Sequence, residues 1–167
     1  MTTQLTIRQA RWRAARLALP LFGGLVAGCA AQGDDHLNVD RVPATLEVLT
    51  ADARRGAGSP PIAISTCAAE AALARAEALV GRPELTHAPL DDVIAGCGVT
   101  TAAENLSRAP TGTPAQDVVD AWMESPGHRA NILDPDLTQV GVGCAEDGDD
   151  LVCSMVLLGP TSRPEDT

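Results

Sequence analysis

Residues 113–133 read TPAQDVVDAWMESPGHRANIL. The first half has the grammar of a helix start. Thr113 suits an N-cap, Pro114 the first helical position, and Gln116 completes a capping box. Val118, Val119 and Trp122 then fall on one face at helical spacing. Ser125-Pro126-Gly127 stops that helix and delivers His128 just beyond it. Trp122 is the only aromatic side chain after residue 28, because Trp12 and Phe22 lie earlier and the chain has no tyrosine. The core must therefore be built from Ala, Val, Leu, Ile and this one indole. A membrane bundle with aromatic belts is excluded on the same count, as is a base-stacking nucleic-acid binder.

Downstream, LTQVGVGC (137–144) and LVCSMVLL (151–158) read as two strands around the turn signal EDGDD. Upstream, TCAAEAALARAEALV (66–80) is the strongest helix, rich in the best helix former. Its alanine face permits close approach by another element. Leu46, Leu49 and Ala53 mark an earlier helix that ends among Gly56–Pro61. Residues 81–98 read as a loop with a short helical piece, LDDVIAGC, and residues 99–112 show no lasting period. Asp134-Pro135 marks a further turn, and the tail 161–167 is polar.

Residues 1–28 read as a signal sequence rather than as part of a fold. Four arginines precede residue 17 and no acid does; the apolar run LALPLFGGLVAG (17–28) is too short to span about 30 Å of hydrocarbon. It ends in Val26-Ala27-Gly28-Cys29, which resembles the lipobox of bacterial lipoproteins. That resemblance implies a lipid anchor on Cys29, a tether over 29–43, and an envelope location. An ordinary signal sequence cut among residues 27–31 gives a secreted protein instead. All 12 basic residues are arginine, and the segment from Cys29 onward carries 22 acids against 8 arginines, a net charge of −14. Such a surface repels phosphate backbones, so nucleic acid is not an expected partner. The length after the signal fits one domain, expected to be a monomer.

Setting Cys29 aside leaves Cys67, Cys97, Cys144 and Cys153. In an oxidising compartment four cysteines suggest two disulfides in one of three connectivities. A four-residue connection Asp147–Asp150 sets Glu146 opposite Leu151 and Cys144 opposite Cys153. A two-residue turn at Asp147-Gly148 sets Leu151 opposite Cys144 instead. The first register pairs Cys144–Cys153 and leaves Cys67–Cys97, a loop closure contributing about 3.5 kcal/mol. Free thiols buried as small apolar groups are the alternative.

The chemistry-bearing residues are few. His36 lies in the tether, His87 in LTHAPL, His128 after the helix stop, and Glu104 in AAENLS. Two imidazoles and a carboxylate suit zinc with an open position, or an acid–base set. Their spacing matches no local metal motif. The plain alternative is a polar cluster that satisfies buried loops. A nucleophilic set of Ser125, His128 and Glu104 lacks the strained turn such serines occupy. The hairpin-tip acids Glu146, Asp147, Asp149 and Asp150 lack EF-hand spacing and read as a solvated turn. Asn105-Leu106-Ser107 matches a glycosylation sequon, read here as coincidence.

Taken together, AWMESPGHRANIL (121–133), QVGVGC (139–144) and ENL (104–106) resemble the CAP superfamily of cysteine-rich secretory, antigen 5 and pathogenesis-related proteins, whose bacterial members are called SCP-like. The resemblance covers roughly 46–159 within a domain placed at 44–160. It implies an α+β fold, an α–β–α sandwich with a small antiparallel sheet between helical layers. It implies a cavity containing His87, Glu104 and His128, with His87 and His128 as ligands for a divalent metal, zinc above all. It implies a binding module for a lipid-like or protein ligand, with a metal-assisted hydrolase or a purely structural cluster as alternatives. The chain departs from the family pattern at Ala103, where a glycine is usual, at Ser125, where many members carry glutamate, and in the non-aromatic last strand.

Overall fold

The computed structural model describes residues 40–162. The expected signal sequence, the Cys29 anchor, the tether up to residue 39 and the tail from residue 163 lie outside these residues. The elements are α1 Val42–Ala57, β1 Ala63–Ile64, α2 Thr66–Leu79, α3 Asp91–Cys97, β2 Ala102–Pro110, α4 Ala115–Glu124, α5 Pro126–Leu133, β3 Gln139–Asp147 and β4 Asp150–Leu158. One four-stranded sheet has the order β1-β3-β4-β2. Only β1 runs parallel to its neighbour; β3, β4 and β2 are antiparallel. The α+β sandwich is therefore present, with α1, α4 and α5 on one face of the sheet and α2 and α3 on the other.

Strand alternation divides the core between the two faces. Val140, Val142, Cys144, Leu151, Cys153, Met155 and Leu157 pack with Leu46, Val119, Trp122 and Ile132. Val156 and Leu158 face the other way, onto Ala68, Ala72 and Val93. Gly141 and Gly143 also face that way. A Cβ on Gly141 would overlap the backbone of Ala69, and one on Gly143 the backbone of Leu73. The sequence VGVG is thus the floor on which α2 lies, with Ala68 and Ala72 fully buried above it.

The hairpin register sets Cys144 opposite Cys153 and Glu146 opposite Leu151. The ladder runs one pair further than the expected loop, to Asp147 opposite Asp150. Gly148, at φ 67°, then opens a two-residue turn, and among the described residues none other than glycine has positive φ, which is the sign pattern of a type II′ hairpin. Both disulfides form, Cys144–Cys153 between strands and Cys67–Cys97 between α2 and α3.

Four local expectations are revised. α1 begins at Val42, inside the stretch expected to be tether, because Val42 is a core residue and a proline fits the first helical turn. The capping box at Thr113 does not form: α4 starts at Ala115, the Thr113 hydroxyl donates to the Pro110 carbonyl at 2.7 Å, and Gln116 donates to Asp120 at 2.8 Å. Ser125-Pro126 ends one helix and opens the next, since Pro126 takes the first position of α5. The stretch 99–112 contains β2, nine residues paired along their whole length with β4. Its period is hidden because Glu104, Asn105 and Leu106 are buried in succession.

Two polar side chains lock α1 in place. Arg54, fully buried, donates to the carbonyls of Pro60, Ile132 and Asp134 at 2.7–2.9 Å. Glu47 accepts the Val142 N–H at 3.0 Å, on the side of β3 that β1 is too short to cover. Burial pushes the Glu47 carboxyl up, and the Val142 bond opposes that only in part.

The glycine floor gives a direct test. Gly143→Ala is expected to destabilise the domain by about 3 kcal/mol, the upper range for an overpacked core. Gly56→Ala, exposed in α1 with open space around it, is expected to stabilise by about 0.5 kcal/mol. Denaturant midpoints that rank the two variants the other way would show that α2 does not bear on β3 as described.

Candidate functional site

Glu104 and Asn105 are neighbours on β2, so their side chains leave opposite faces of the sheet. Glu104 points toward α2. Its Oε1 accepts Arg75 Nε at 2.5 Å and Ser154 Oγ at 2.9 Å; its Oε2 accepts the second Arg75 contact at 3.1 Å and His87 Nδ1 at 2.8 Å. Arg75 also donates to the carbonyls of Ala88 at 2.7 Å and Pro89 at 3.3 Å. The carboxylate thus joins α2, β4 and the loop carrying His87. Burial alone pushes Glu104 up, but Arg75, His87 and Ser154 together outweigh it and hold the carboxyl below its ordinary range. The same pairing raises Arg75.

Asn105 points the other way, toward α5. It donates to the His128 carbonyl at 3.1 Å and accepts Asn131 Nδ2 at 2.9 Å, while Asn131 also reaches the Glu104 carbonyl at 3.3 Å. The asparagines of ENL and of ANIL therefore fasten α5 to β2. Asn105 is fully buried in this role, which leaves no surface for glycosylation. His128 is held through its backbone. Its imidazole is pushed down by burial and then by the charge of His87, so the neutral form is favoured.

The expected trio is thus joined only in part. His87 and Glu104 are in contact, and none of the four bonds to Glu104 comes from His128 or Ser125. The proposed serine set is not assembled. Nor do the residues suit a three-ligand metal site: both Glu104 oxygens are committed, His87 uses Nδ1 on Glu104, and among the described residues no group of three or more His, Cys, Asp or Glu side chains lies together to hold an ion. Asp147 at the hairpin tip is engaged as well, accepting Gly81 N–H at 3.0 Å and pairing with Arg108 at 3.0 Å.

Sequence reasoning missed Arg75 and Ser154. Ser154 had a signal: it interrupts the apolar face of a fully buried strand, and a buried hydroxyl requires a partner. Arg75 had none beyond being one charge among alanines.

Two concavities flank the His87 loop. One, of about 600 Å³, is an open groove bounded by Ala74, Ala78, Arg82, Thr86 and the Arg75–Glu104 pair. The other, of about 470 Å³, runs beside β2 and is walled by Leu85, Leu106, Val118, Ala121 and Trp122, with Arg108, Asp117, Ser125 and His128 among its polar lining. Trp122 is 2% exposed and donates Nε1–H to the Leu106 carbonyl at 2.9 Å.

The Glu104 network predicts acid sensitivity. Because its folded-state pKa is depressed, its contribution is complete above the unfolded value near 4.5 and is lost as pH falls through the folded value. Glu104→Gln is expected to cost about 3 kcal/mol at neutral pH, by leaving the half-buried Arg75 without its counter-charge. It is also expected to flatten the loss of stability below about pH 4.5, read from melting temperature against pH. A variant with the slope of the wild type would contradict the network.

Residues 48–157 match the Cysteine-rich secretory protein family, CAP. Uncharacterized protein YkwD of Bacillus subtilis is 35% identical over 107 residues, which cover 60% of this chain and 41% of that protein. An extracellular SCP-domain protein of Bacillus anthracis superposes with a TM-score of 0.63 at 20% identity, over 72% of this chain and 41% of that one. An outer surface protein of Borrelia burgdorferi gives 0.62 at 21% identity, over 71% and 92%. The chain thus spans about two fifths of YkwD and of the B. anthracis protein, and the two superpositions establish the shared fold. With the family match covering most of the sequence, this chain belongs to the CAP family.

Proposed function

We propose that this protein is an exported CAP-domain binding module, held at the cell envelope through Cys29, whose ligand seats an apolar group in the Trp122 cleft. The cleft carries the reading. Its volume of about 470 Å³ and its mainly apolar surface, interrupted by a few polar side chains, have the character of a ligand site. The ligand is lipid-like or an apolar side chain of a protein partner. The state of Glu104 weighs against the hydrolase alternative. A general base needs a free lone pair and a pKa near the working pH; this carboxylate has four hydrogen bonds and a lowered pKa. Its role is to tie the His87 loop to α2 and the sheet, as the structural alternative holds.

Export rests on the N-terminal sequence and on the two disulfides, which persist in oxidising compartments. Relatives described as extracellular and as an outer surface protein accord with it.

The cleft is tested on residues 30–167, where Trp122 is the sole tryptophan. The neutral dye Nile red is expected to bind saturably, with energy transfer from Trp122. Ala121→Phe fills the cleft from an exposed position on α4 and is expected to weaken binding at least tenfold while the melting temperature stays within about 2 °C. Identical titrations would remove the cleft as the site.

The anchor is tested on the full chain. Wild type is expected in the membrane fraction with an acylated N-terminal cysteine by mass spectrometry. Cys29→Ala is expected to shed that mass or to stall processing. An unmodified wild type cut elsewhere among residues 27–31 would replace the anchor with simple secretion.

A further inference from the structure

The Trp122 cleft runs along the free edge of β2, and beside the cleft that edge keeps unused backbone hydrogen-bonding groups among the described residues. The Thr101 carbonyl accepts Gly159 N–H at 2.9 Å, and Thr111 N–H donates to the Asp149 carbonyl at 2.8 Å, both on the β4 side. In an antiparallel strand the backbone groups of alternate residues face alternate sides. Odd-numbered residues of β2 therefore face β4, and Glu104, Leu106, Arg108 and Pro110 turn their backbone groups outward.

Three of the seven outward groups on these residues have partners among the described residues, all of them carbonyls. The carbonyl of Glu104 accepts Asn131 at 3.3 Å, that of Leu106 accepts Trp122 at 2.9 Å, and that of Pro110 accepts the backbone and hydroxyl of Thr113 at 3.0 and 2.7 Å. Pro110 has no N–H to satisfy, which is where a sheet edge tolerates proline. Around the cleft, the Leu106 N–H and both backbone groups of Arg108 remain without a partner among the described residues. Leu106 is only 6% exposed. A backbone donor in so buried a residue is nearly always paired in a folded protein.

We infer that the β2 edge at Leu106–Arg108 accepts a short extended peptide, added as a strand with one apolar side chain in the Trp122 cleft. This rests on the cleft reading above and names its occupant. A peptide strand pairs fully with Arg108 and gives one carbonyl to Leu106 N–H, three hydrogen bonds in all; its alternate side chains then point toward and away from the cleft. Charge selects the partner. Asp117 rims the cleft with no ion pair or side-chain hydrogen bond among the described residues, whereas Arg108 in the same lining is paired with Asp147, and the segment from Cys29 onward carries a net charge of −14. The fitting peptide therefore has a basic residue beside its apolar anchor.

The test uses 15N-labelled residues 30–167 and a capped hexapeptide of alternating valine and threonine with a lysine at each end. The amides of Leu106 and Arg108 are expected to shift and to exchange at least tenfold more slowly. Methylating one alternate set of peptide nitrogens is expected to weaken binding at least tenfold, and methylating the other set to leave it unchanged. Equal loss from both sets, or still amides at Leu106 and Arg108, would overturn strand addition. Nile red binding retained in that case keeps the cleft and removes only the peptide; loss of both removes the two readings together. Protection of the same amides in a peptide-free dimer, read by light scattering, would assign the edge to a second copy instead.

Discussion

The closeness of α2 to β3 governs one half of the molecule. Two glycines on the strand and a row of alanines on the helix bring backbone against backbone, and no bulky side chain separates them. That distance decides what the next turn of α2 reaches. Arg75 lies one turn beyond Ala71 and Ala72 and spans the sheet to Glu104 because the helix is low. A chain almost without aromatic residues gains burial here by small groups at short range, where dispersion contacts are densest.

The opposite face is organised differently. Trp122 supplies the bulk that alanine lacks, and its indole N–H closes one carbonyl of the β2 edge. Asn131, which also donates to the Asn105 side chain, closes the Glu104 carbonyl beside it. The motif residues of this family thus split by side of the sheet. Glu104 serves the α2 side and Asn105 the α5 side, although they adjoin in sequence. The two histidines flank the same strand from different elements. What they frame is an edge with a cleft beside it, and the saturated carboxylate acts as its support.

Much of this was legible in the sequence, for identifiable reasons. The hairpin register followed from where the cysteines and turn residues fall, because a period of two leaves few alternatives. α2 followed from propensity, and α1 from the spacing of Leu46, Leu49 and Ala53. The family motifs implied the sandwich and the pairing of His87 with Glu104 in one site. β2 was not legible, since a strand buried on both faces and carrying a charge shows no alternation. α5 was hidden because Ser125-Pro126 is equally good as a stop and as a start. The partners of Glu104 were hidden because contacts between residues 29 and 50 positions apart leave no local pattern. The missing capping box shows tertiary context overriding a local motif: the Pro110 carbonyl at the strand end claimed the hydroxyl of Thr113 first.

The carboxylate of Glu47 covers a stretch of β3 that no strand covers, and it comes from 95 residues earlier in the chain. Its arrival therefore depends on folding order. α1 is the first element of the described domain to be synthesised and β3 nearly the last, so the helix waits with its buried face unmatched until the hairpin emerges. Once the hairpin has formed and until α1 docks on it, the outer side of β3 is open to any passing strand, the condition under which sheet proteins associate wrongly. Sequence-distant closure of this kind ties protection against misassembly to completion of the whole chain. The interval before α1 docks is consequently the period in which this fold is most exposed to aggregation.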